Sequence, residues 1–171
     1  MEVGGAGVLI YVPFVPKFGI ELGALYVPCS FNFVSSPPAN EISGTLTNTY
    51  IMIPVLFRWS PTEHFSLGAG GYYAMGTGNT SFSGNILILG QSTPLAFPST
   101  ANTTSDYGFA SSLAFYEPLG KKLKIFLDMR FAVGLGNPTY TLGTIPATSS
   151  VITAKLRYTD YMALAGFQIY F

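Results

Sequence analysis

Charged residues are scarce in this sequence of 171 residues: Asp, Glu, Lys and Arg together make up only 9% of it. A typical soluble domain has about a quarter. Eight basic residues balance eight acidic ones, so the sequence offers no basic surface for a nucleic-acid partner. A globular protein with so little charge would have poor solubility. The composition therefore argues against an ordinary water-soluble domain.

Long apolar runs are missing as well. No stretch approaches the roughly 18–20 apolar residues of a membrane helix, because Gly, Ser, Asp or Arg interrupts every few positions. A chain too apolar for water and too interrupted for helices has one standard membrane structure, the closed β-barrel. A single cysteine, Cys29, excludes an internal disulfide or a cysteine metal cluster, and no cofactor or metal is expected.

The sequence does contain a period of two residues, which is typical of strands with two different faces. Leu127 and Met129 lie on one face of such a strand, whereas Asp128 and Arg130 lie on the other. The predicted fold is all-β, a small antiparallel up-and-down transmembrane β-barrel that forms a single domain over residues 1–171. The pattern predicts seven strands, at 5–12, 18–33, 49–59, 65–77, 105–116, 123–135 and 156–171.

The predicted connections alternate in length, at 13–17, 61–64 and 117–121 for the short ones and 34–48, 78–104 and 136–155 for the long ones. Short turns on one rim and long loops on the other are the arrangement of bacterial outer-membrane barrels, so an integral outer-membrane location is expected. Two of the long connections carry no charge over 78–104 and 136–154. Either they form a contact surface for another envelope protein, or the strands extend beyond the membrane and pair there.

The charged residues within the strands all fall on the less apolar face, where a barrel has its lumen. An eight-stranded barrel is just wide enough to be filled by side chains, so we expect a plugged lumen with a buried ion network. Aromatic side chains near strand ends are expected at the membrane interfaces. The predicted network is Glu21, Arg58, Asp106, Asp128, Arg130 and Asp160, and the predicted interface aromatics are Trp59, Phe65, Tyr73, Tyr107 and Phe171.

Four stretches resemble a known family. They are TYIMIPVLFRW at 49–59, FSLGAGGYYA at 65–74, DYGFASSLAF at 106–115 with FLDMRFAVGL after the turn, and the terminal AGFQIYF. Together they resemble the PorT-like outer-membrane β-barrels, which are of the OmpA/OmpX type. The resemblance implies an eight-stranded barrel of which this chain matches the second to the eighth strand, with the first strand missing or before Met1.

The chain departs from the family pattern at two positions of the lumen. Met52 and Gly68 stand where the family often has acidic residues, which implies a less polar interior. The terminal Phe171, with aromatics at alternate positions before it, resembles the signal that the barrel-assembly machinery reads.

Three functions are compatible with this sequence. The first is a structural or partner-docking barrel in outer-membrane lipid, with contacts to another envelope protein through the uncharged loops or an open strand edge. The second is a small pore or transporter. The third is a soluble lipocalin-like barrel, which requires Leu127, Met129 and Phe131 to face inward. No enzyme is expected, because the one histidine, His64, lies beside Glu63 in a short turn on the predicted periplasmic rim.

Overall fold

The chain folds into strands throughout the part that a computed structural model describes, namely residues 5–35, 40–77, 80–88, 91–100, 104–120, 123–136, 139–145, 150–155 and 159–169. These residues contain no helix. None of them forms a helical segment long and apolar enough to cross a membrane. The predicted all-β fold class is therefore confirmed.

The described residues form eleven strands, numbered in chain order. They are β1 (Ala6–Val15), β2 (Phe18–Ser35), β3 (Asn40–Thr62), β4 (Phe65–Gly76), β5 (Thr80–Ile88), β6 (Gln91–Thr100), β7 (Ser105–Pro118), β8 (Leu123–Gly134), β9 (Thr139–Ile145), β10 (Ser150–Lys155) and β11 (Thr159–Ile169).

Seven of these strands form the main wall, in the order β1-β2-β3-β4-β7-β8-β11. Every neighbouring pair runs antiparallel, which is the up-and-down arrangement. All seven strands predicted from the period of two are present. The observed β2 and β3 are longer than the predicted strands. Tight turns connect β1 to β2, β3 to β4 and β7 to β8. In the last of these, Gly120 has a φ of 151°, a backbone conformation that other residues rarely adopt.

The two faces of the wall differ as the period of two predicts. On β3, Tyr50, Met52 and Leu56 point to the inner face and are almost fully buried. The alternate positions of β3 point outward, and there Val55 and Phe57 leave about half of their surface exposed, at 48% and 49%. The same alternation holds along β7, where the buried and exposed positions follow each other without interruption from Ser105. The core of this protein is therefore the concave side of one curled sheet.

Glycines on the inner face make room for large side chains from the neighbouring strand. A Cβ on Gly19 would lie 2.4 Å from the Tyr11 ring, and a Cβ on Gly23 would lie 2.4 Å from the Leu9 side chain. Both distances are far shorter than van der Waals contact, so a larger residue at either position would force the neighbouring side chain to move. The alternation of small and large residues fills the interior without widening the sheet.

The prediction of three long loops is wrong. Most of 34–48, 78–104 and 136–155 consists of strands: β2 and β3 extend toward each other, β5 pairs with the first half of β3, β6 pairs with β5, and β9 pairs with β10. Of the two interpretations offered for these segments, the structure supports extended strands that pair beyond the main wall. Because β4 ends at Gly76, the edge of β3 is free from there on, and β5 takes it over.

The two edge strands of the wall, β1 and β11, approach each other without pairing in the described residues. The Leu164 side chain of β11 lies 3.8 Å from where a Cβ on Gly5 would be. Paired residues lead from Ala6 through Tyr26, Ile51 and Met75 to Ser105, which lies beyond Gly108, the last residue at that end of β7 with a partner on β8. Gly5 nevertheless meets a residue well inside β11. Such a stagger is what tilted strands of a barrel produce.

Candidate functional site

Four buried charged residues from three strands meet in the interior. Glu21 comes from β2, Arg58 from β3, and Asp128 and Arg130 from β8, and all four are at most 4% exposed. We call them the ion cluster. Each lies at an inward position of its strand, so the period of two that places apolar residues outside also brings these four side chains together.

The ion cluster alternates positive and negative groups. The Arg58 Nε atom lies 2.6 Å from Glu21 Oε2, and its Nη2 atom lies 2.6 Å from Asp128 Oδ2. The Arg130 Nη2 atom lies 2.6 Å from Glu21 Oε1 and 2.8 Å from Asp128 Oδ2. Each carboxylate therefore accepts from both arginines, and the four charges sum to zero. Buried charges are tolerated only when they are paired in this way.

Serines complete the coordination of the cluster. Ser112 Oγ of β7 donates to Asp128 Oδ1 at 2.5 Å, and Arg58 Nη1 lies 3.4 Å from Ser66 Oγ of β4. Neither serine stands out in the sequence, although both occupy inward positions of strands whose neighbours carry charged residues. One donor is left over: Arg130 Nη1 is buried and has no hydrogen-bond partner among the described residues.

Asp106 lies apart from the ion cluster, nearer the opposite end of β7. It is 1% exposed and accepts hydrogen bonds from the Tyr72 hydroxyl at 3.0 Å and from the backbone N–H groups of Tyr107 and Gly136 at 2.8 and 3.1 Å. No cation pairs with Asp106 in the described part of the chain. The six predicted network residues thus divide: four form one cluster, Asp106 has neutral donors, and the side chain of Asp160 lies outside the described residues.

Aromatic side chains form two groups on the outer face. Trp59 is 43% exposed near the short turns, where Phe57 packs against Phe14 and Phe18 with ring centroids 5.9 and 5.5 Å apart. Tyr73 and Tyr107 are directly opposite each other on β4 and β7, toward the other end. Phe65, at the start of β4, packs against Phe115 with ring centroids 5.6 Å apart and ring planes inclined by 57°. The fifth predicted interface aromatic, Phe171, lies outside the described residues.

A cavity of about 350 Å³ opens at the short-turn end, with Arg58 of the ion cluster in its wall. Tyr11 and Gln168 contribute from the two edge strands, and Lys17 and Lys124 contribute amines. The Lys124 ammonium donates to the Glu63 carbonyl at 3.1 Å and lies 6.0 Å from the Tyr116 ring centroid. The ion cluster therefore separates this cavity from the interior beyond it.

His64 lies in the turn between β3 and β4, where 63% of its side chain is exposed. Its Nδ1 atom is 3.1 Å from the Tyr116 carbonyl oxygen and 3.8 Å from Glu117 Oε2. Among the described residues no group of His, Cys, Asp and Glu side chains could hold a metal ion. The lone Cys29 is buried, and its thiol donates to the Val27 carbonyl oxygen with a distance of 3.8 Å. The expectation that this protein is not an enzyme stays a prediction.

The outward faces of β7 and β8 are apolar. Leu127 and Met129 are 48% and 47% exposed, whereas Asp128 and Arg130 between them are buried. Phe109 and Phe115 of β7 are exposed in the same direction. This order of faces, with charges inside and large apolar side chains outside, is the reverse of a water-soluble barrel.

Comparisons with protein-family models, with curated proteins and with solved structures find no match to this chain. The resemblance to the PorT-like barrels therefore stays a prediction, and the function has to be argued from the geometry.

Proposed function

We propose that this protein is an integral outer-membrane β-barrel with a filled lumen and a structural or partner-docking role. One observation carries the proposal: the outer face of the main wall is covered by exposed apolar side chains, while Glu21, Arg58, Asp106, Asp128 and Arg130 lie buried in the interior. Exposed apolar side chains occur on every one of the seven strands, for example Val8, Leu22, Val55, Leu67, Phe109, Leu127 and Phe167.

Lipid is the environment that this distribution of side chains fits. In water, so much contiguous apolar surface would lead to aggregation. In a bilayer the same surface is in contact with lipid acyl chains, which are themselves apolar. The aromatic rings near both ends of the wall add the interfacial groups that membrane barrels carry. The exposed positions of Leu127 and Met129 do not support the lipocalin-like alternative, which needs them in a ligand cavity.

A filled lumen favours docking over transport. The ion cluster crosses the interior from β2 and β3 to β8, and Tyr11, Leu25, Met52 and Leu56 occupy space on either side of it. The paired strands β5 and β6 beyond the main wall carry no charged residue. Such a surface would select an envelope protein by shape and apolar contact rather than by charge.

The proposal is tested by placing a charge on the outer face. Val55→Arg and Leu127→Arg place a guanidinium at outward-facing positions within β3 and β8. An arginine that faces lipid at the middle of a bilayer destabilises the inserted barrel by about 2–4 kcal/mol. Both variants are expected to insert poorly into lipid vesicles, as measured by flotation and by a heat-dependent shift on gels. The matched control is Thr62→Arg at the exposed last residue of β3, beside the short turn, which should insert like the unmodified chain.

A water-soluble chain in the absence of detergent, or equal insertion of all three arginine variants, would contradict the membrane location. Conductance in planar bilayers separates the docking barrel from the pore alternative, since a filled lumen is expected to stay silent.

A further inference from the structure

The cavity at the short-turn end is closed on its inner side. It has a volume of about 350 Å³, within the range of small-molecule sites, and Arg58 of the ion cluster forms part of its wall. Behind Arg58, the bonds of the cluster to Glu21 and Asp128 cross the interior. A molecule that enters from the short turns would therefore stop at the ion cluster. This geometry suits binding rather than passage.

Positive charge predominates in the wall of this cavity, which we call the short-turn pocket. Three cations line it, from Arg58 of β3, Lys17 of the β1–β2 turn and Lys124 of β8. Among the described lining residues, the only carboxylate is that of Glu63 in the β3–β4 turn. The charge of Arg58 is already balanced within the ion cluster. Two lysines against one glutamate leave an excess of positive charge, so the pocket attracts an anion.

The two lysine side chains are held differently. Lys124 Nζ donates to the Glu63 carbonyl oxygen at 3.1 Å and lies 6.0 Å from the Tyr116 ring centroid, and these contacts position it at the pocket. The Lys17 side chain is exposed, and its ammonium forms no ion pair or hydrogen bond with the part of the chain that the structure describes. One cation is therefore positioned in advance, and the other is available to a ligand.

Rings give the short-turn pocket its apolar surface. Tyr11 of β1 and Tyr116 of β7 contribute from opposite sides, since three strands lie between β1 and β7 in the order of the wall. Pro13, Pro16 and Pro61 add further rings. Such surfaces pack well against a planar or cyclic apolar group. The ligand is therefore expected to carry a ring in addition to its negative charge.

We infer that the short-turn pocket binds a small carboxylate with an aromatic or cyclic body. The carboxylate lies between the ammonium groups of Lys17 and Lys124, and the ring packs against the tyrosine and proline side chains. The Ser60 hydroxyl, which also lines the pocket, can donate to a carboxylate oxygen. This site is additional to the docking role. It does not require lipid around the outer face, so the two proposals can fail separately.

Titration with benzoate tests the inference. The chain is folded in an uncharged detergent, and binding is followed by the backbone amide NMR shifts of Ser60 and Thr62, which both line the pocket. For a ligand of this size we expect a dissociation constant of about 1 mM. Benzamide is the matched control, because it has nearly the same shape without the charge, and it should bind at least about fivefold more weakly. Acetate, which has the charge without the ring, should also bind more weakly.

Substitutions of charged residues show whether the pocket itself recognises the anion. Lys17→Met should weaken benzoate binding about threefold, the usual effect of one exposed ion pair. Its exposed side chain has no partner in the described chain, so the loss should not disturb folding. Lys17→Arg should retain the affinity. Lys155→Met removes the same charge from β10, outside the main wall, and should leave the affinity unchanged.

A glutamate pair gives the opposite sign. Glu63→Gln removes the carboxylate from the pocket and should strengthen benzoate binding about twofold, whereas Glu117→Gln removes a carboxylate at the same rim that does not line the pocket. The Glu117 variant should bind like the unmodified chain.

Three results would overturn the inference. Equal affinities for benzoate and benzamide would indicate partition onto apolar surface without recognition of charge. Equal losses in Lys17→Met and Lys155→Met would indicate attraction by the overall charge of the chain. Shift changes that leave Ser60 and Thr62 unaffected would place the ligand elsewhere. Vesicle flotation tests the membrane location independently of all three.

Discussion

The guanidinium of Arg58 and the carboxylate of Asp128 meet at 2.6 Å in the interior, although 70 residues separate them in the chain. Arg58 belongs to β3 and Asp128 to β8, and two further strands, β4 and β7, lie between these in the wall. The contact therefore joins non-neighbouring strands across the lumen. Together with the bonds of Arg130 to Glu21, it makes the ion cluster a transverse connection within the barrel.

Arg58→Met should be strongly destabilising. It leaves Glu21 and Asp128 buried with one guanidinium between them, and the loss of one partner from a buried ion pair costs about 3–5 kcal/mol. Urea unfolding in detergent micelles, followed by tryptophan fluorescence of Trp59, should show a lower midpoint. Lys17→Met removes an exposed cation from the β1–β2 turn and should leave the midpoint unchanged. Equal midpoints for both variants would mean that the cluster contributes little to stability.

Removal of the cluster should open the lumen. Replacement of Glu21, Arg58, Asp128 and Arg130 by serine leaves hydrated space where the connection was, and we expect measurable conductance in planar bilayers, whereas the unmodified chain stays silent. The control replaces the same four residues by leucine or methionine, which fill the space without charge and are often well tolerated at buried ion pairs. Conductance in that control, or in the unmodified chain, would show that some other path crosses the barrel.

Gly19→Ala should destabilise the wall near the short turns. A Cβ at this position would lie 2.4 Å from the Tyr11 ring, so the ring has to move from its place above β2. We expect a loss of about 1–3 kcal/mol, the usual cost of overpacking. Gly71→Ala is the matched control, since its nearest neighbour would be at 3.4 Å. In the double variant with Tyr11→Ala, the cost of the alanine at Gly19 should largely disappear.

The sequence was most informative where one face of a strand is apolar and the other is not. On β8, the alternation from Leu127 to Arg130 was sufficient to predict a strand, its two faces and the inward position of both charges. The alternation shows which face of the strand a residue lies on, but not its position along the barrel axis. For that reason Asp106 could not be separated from the cluster, and its bond to Tyr72 could not be foreseen.

The strands beyond the main wall were harder to predict, for a different physical reason. Segments such as Thr80–Ile88 and Gln91–Thr100 are rich in Ser and Thr, and Gly84, Pro94 and Pro98 interrupt them with residues that are unfavourable in strands. Local pattern therefore does not distinguish them from loops. They become strands because β4 ends at Gly76 and leaves the edge of β3 available, which is a property of the assembled sheet.

Tyr72→Phe should weaken the connection between β4 and β7. The variant removes the hydroxyl that donates to Asp106 at 3.0 Å, and this carboxylate is 1% exposed, so water cannot replace the lost donor. Hydrogen bonds to charged groups contribute about 1.5–3 kcal/mol, and we expect a loss near the lower end because two backbone N–H groups still donate to Asp106.

The control is Tyr73→Phe, one residue further along, where the ring points outward and is 45% exposed. Urea unfolding of both variants should show a lower midpoint for Tyr72→Phe alone, together with faster amide exchange at Gly136, whose N–H donates to the same carboxylate. If both variants unfold alike, Asp106 is held by the backbone and the Tyr72 hydroxyl is dispensable.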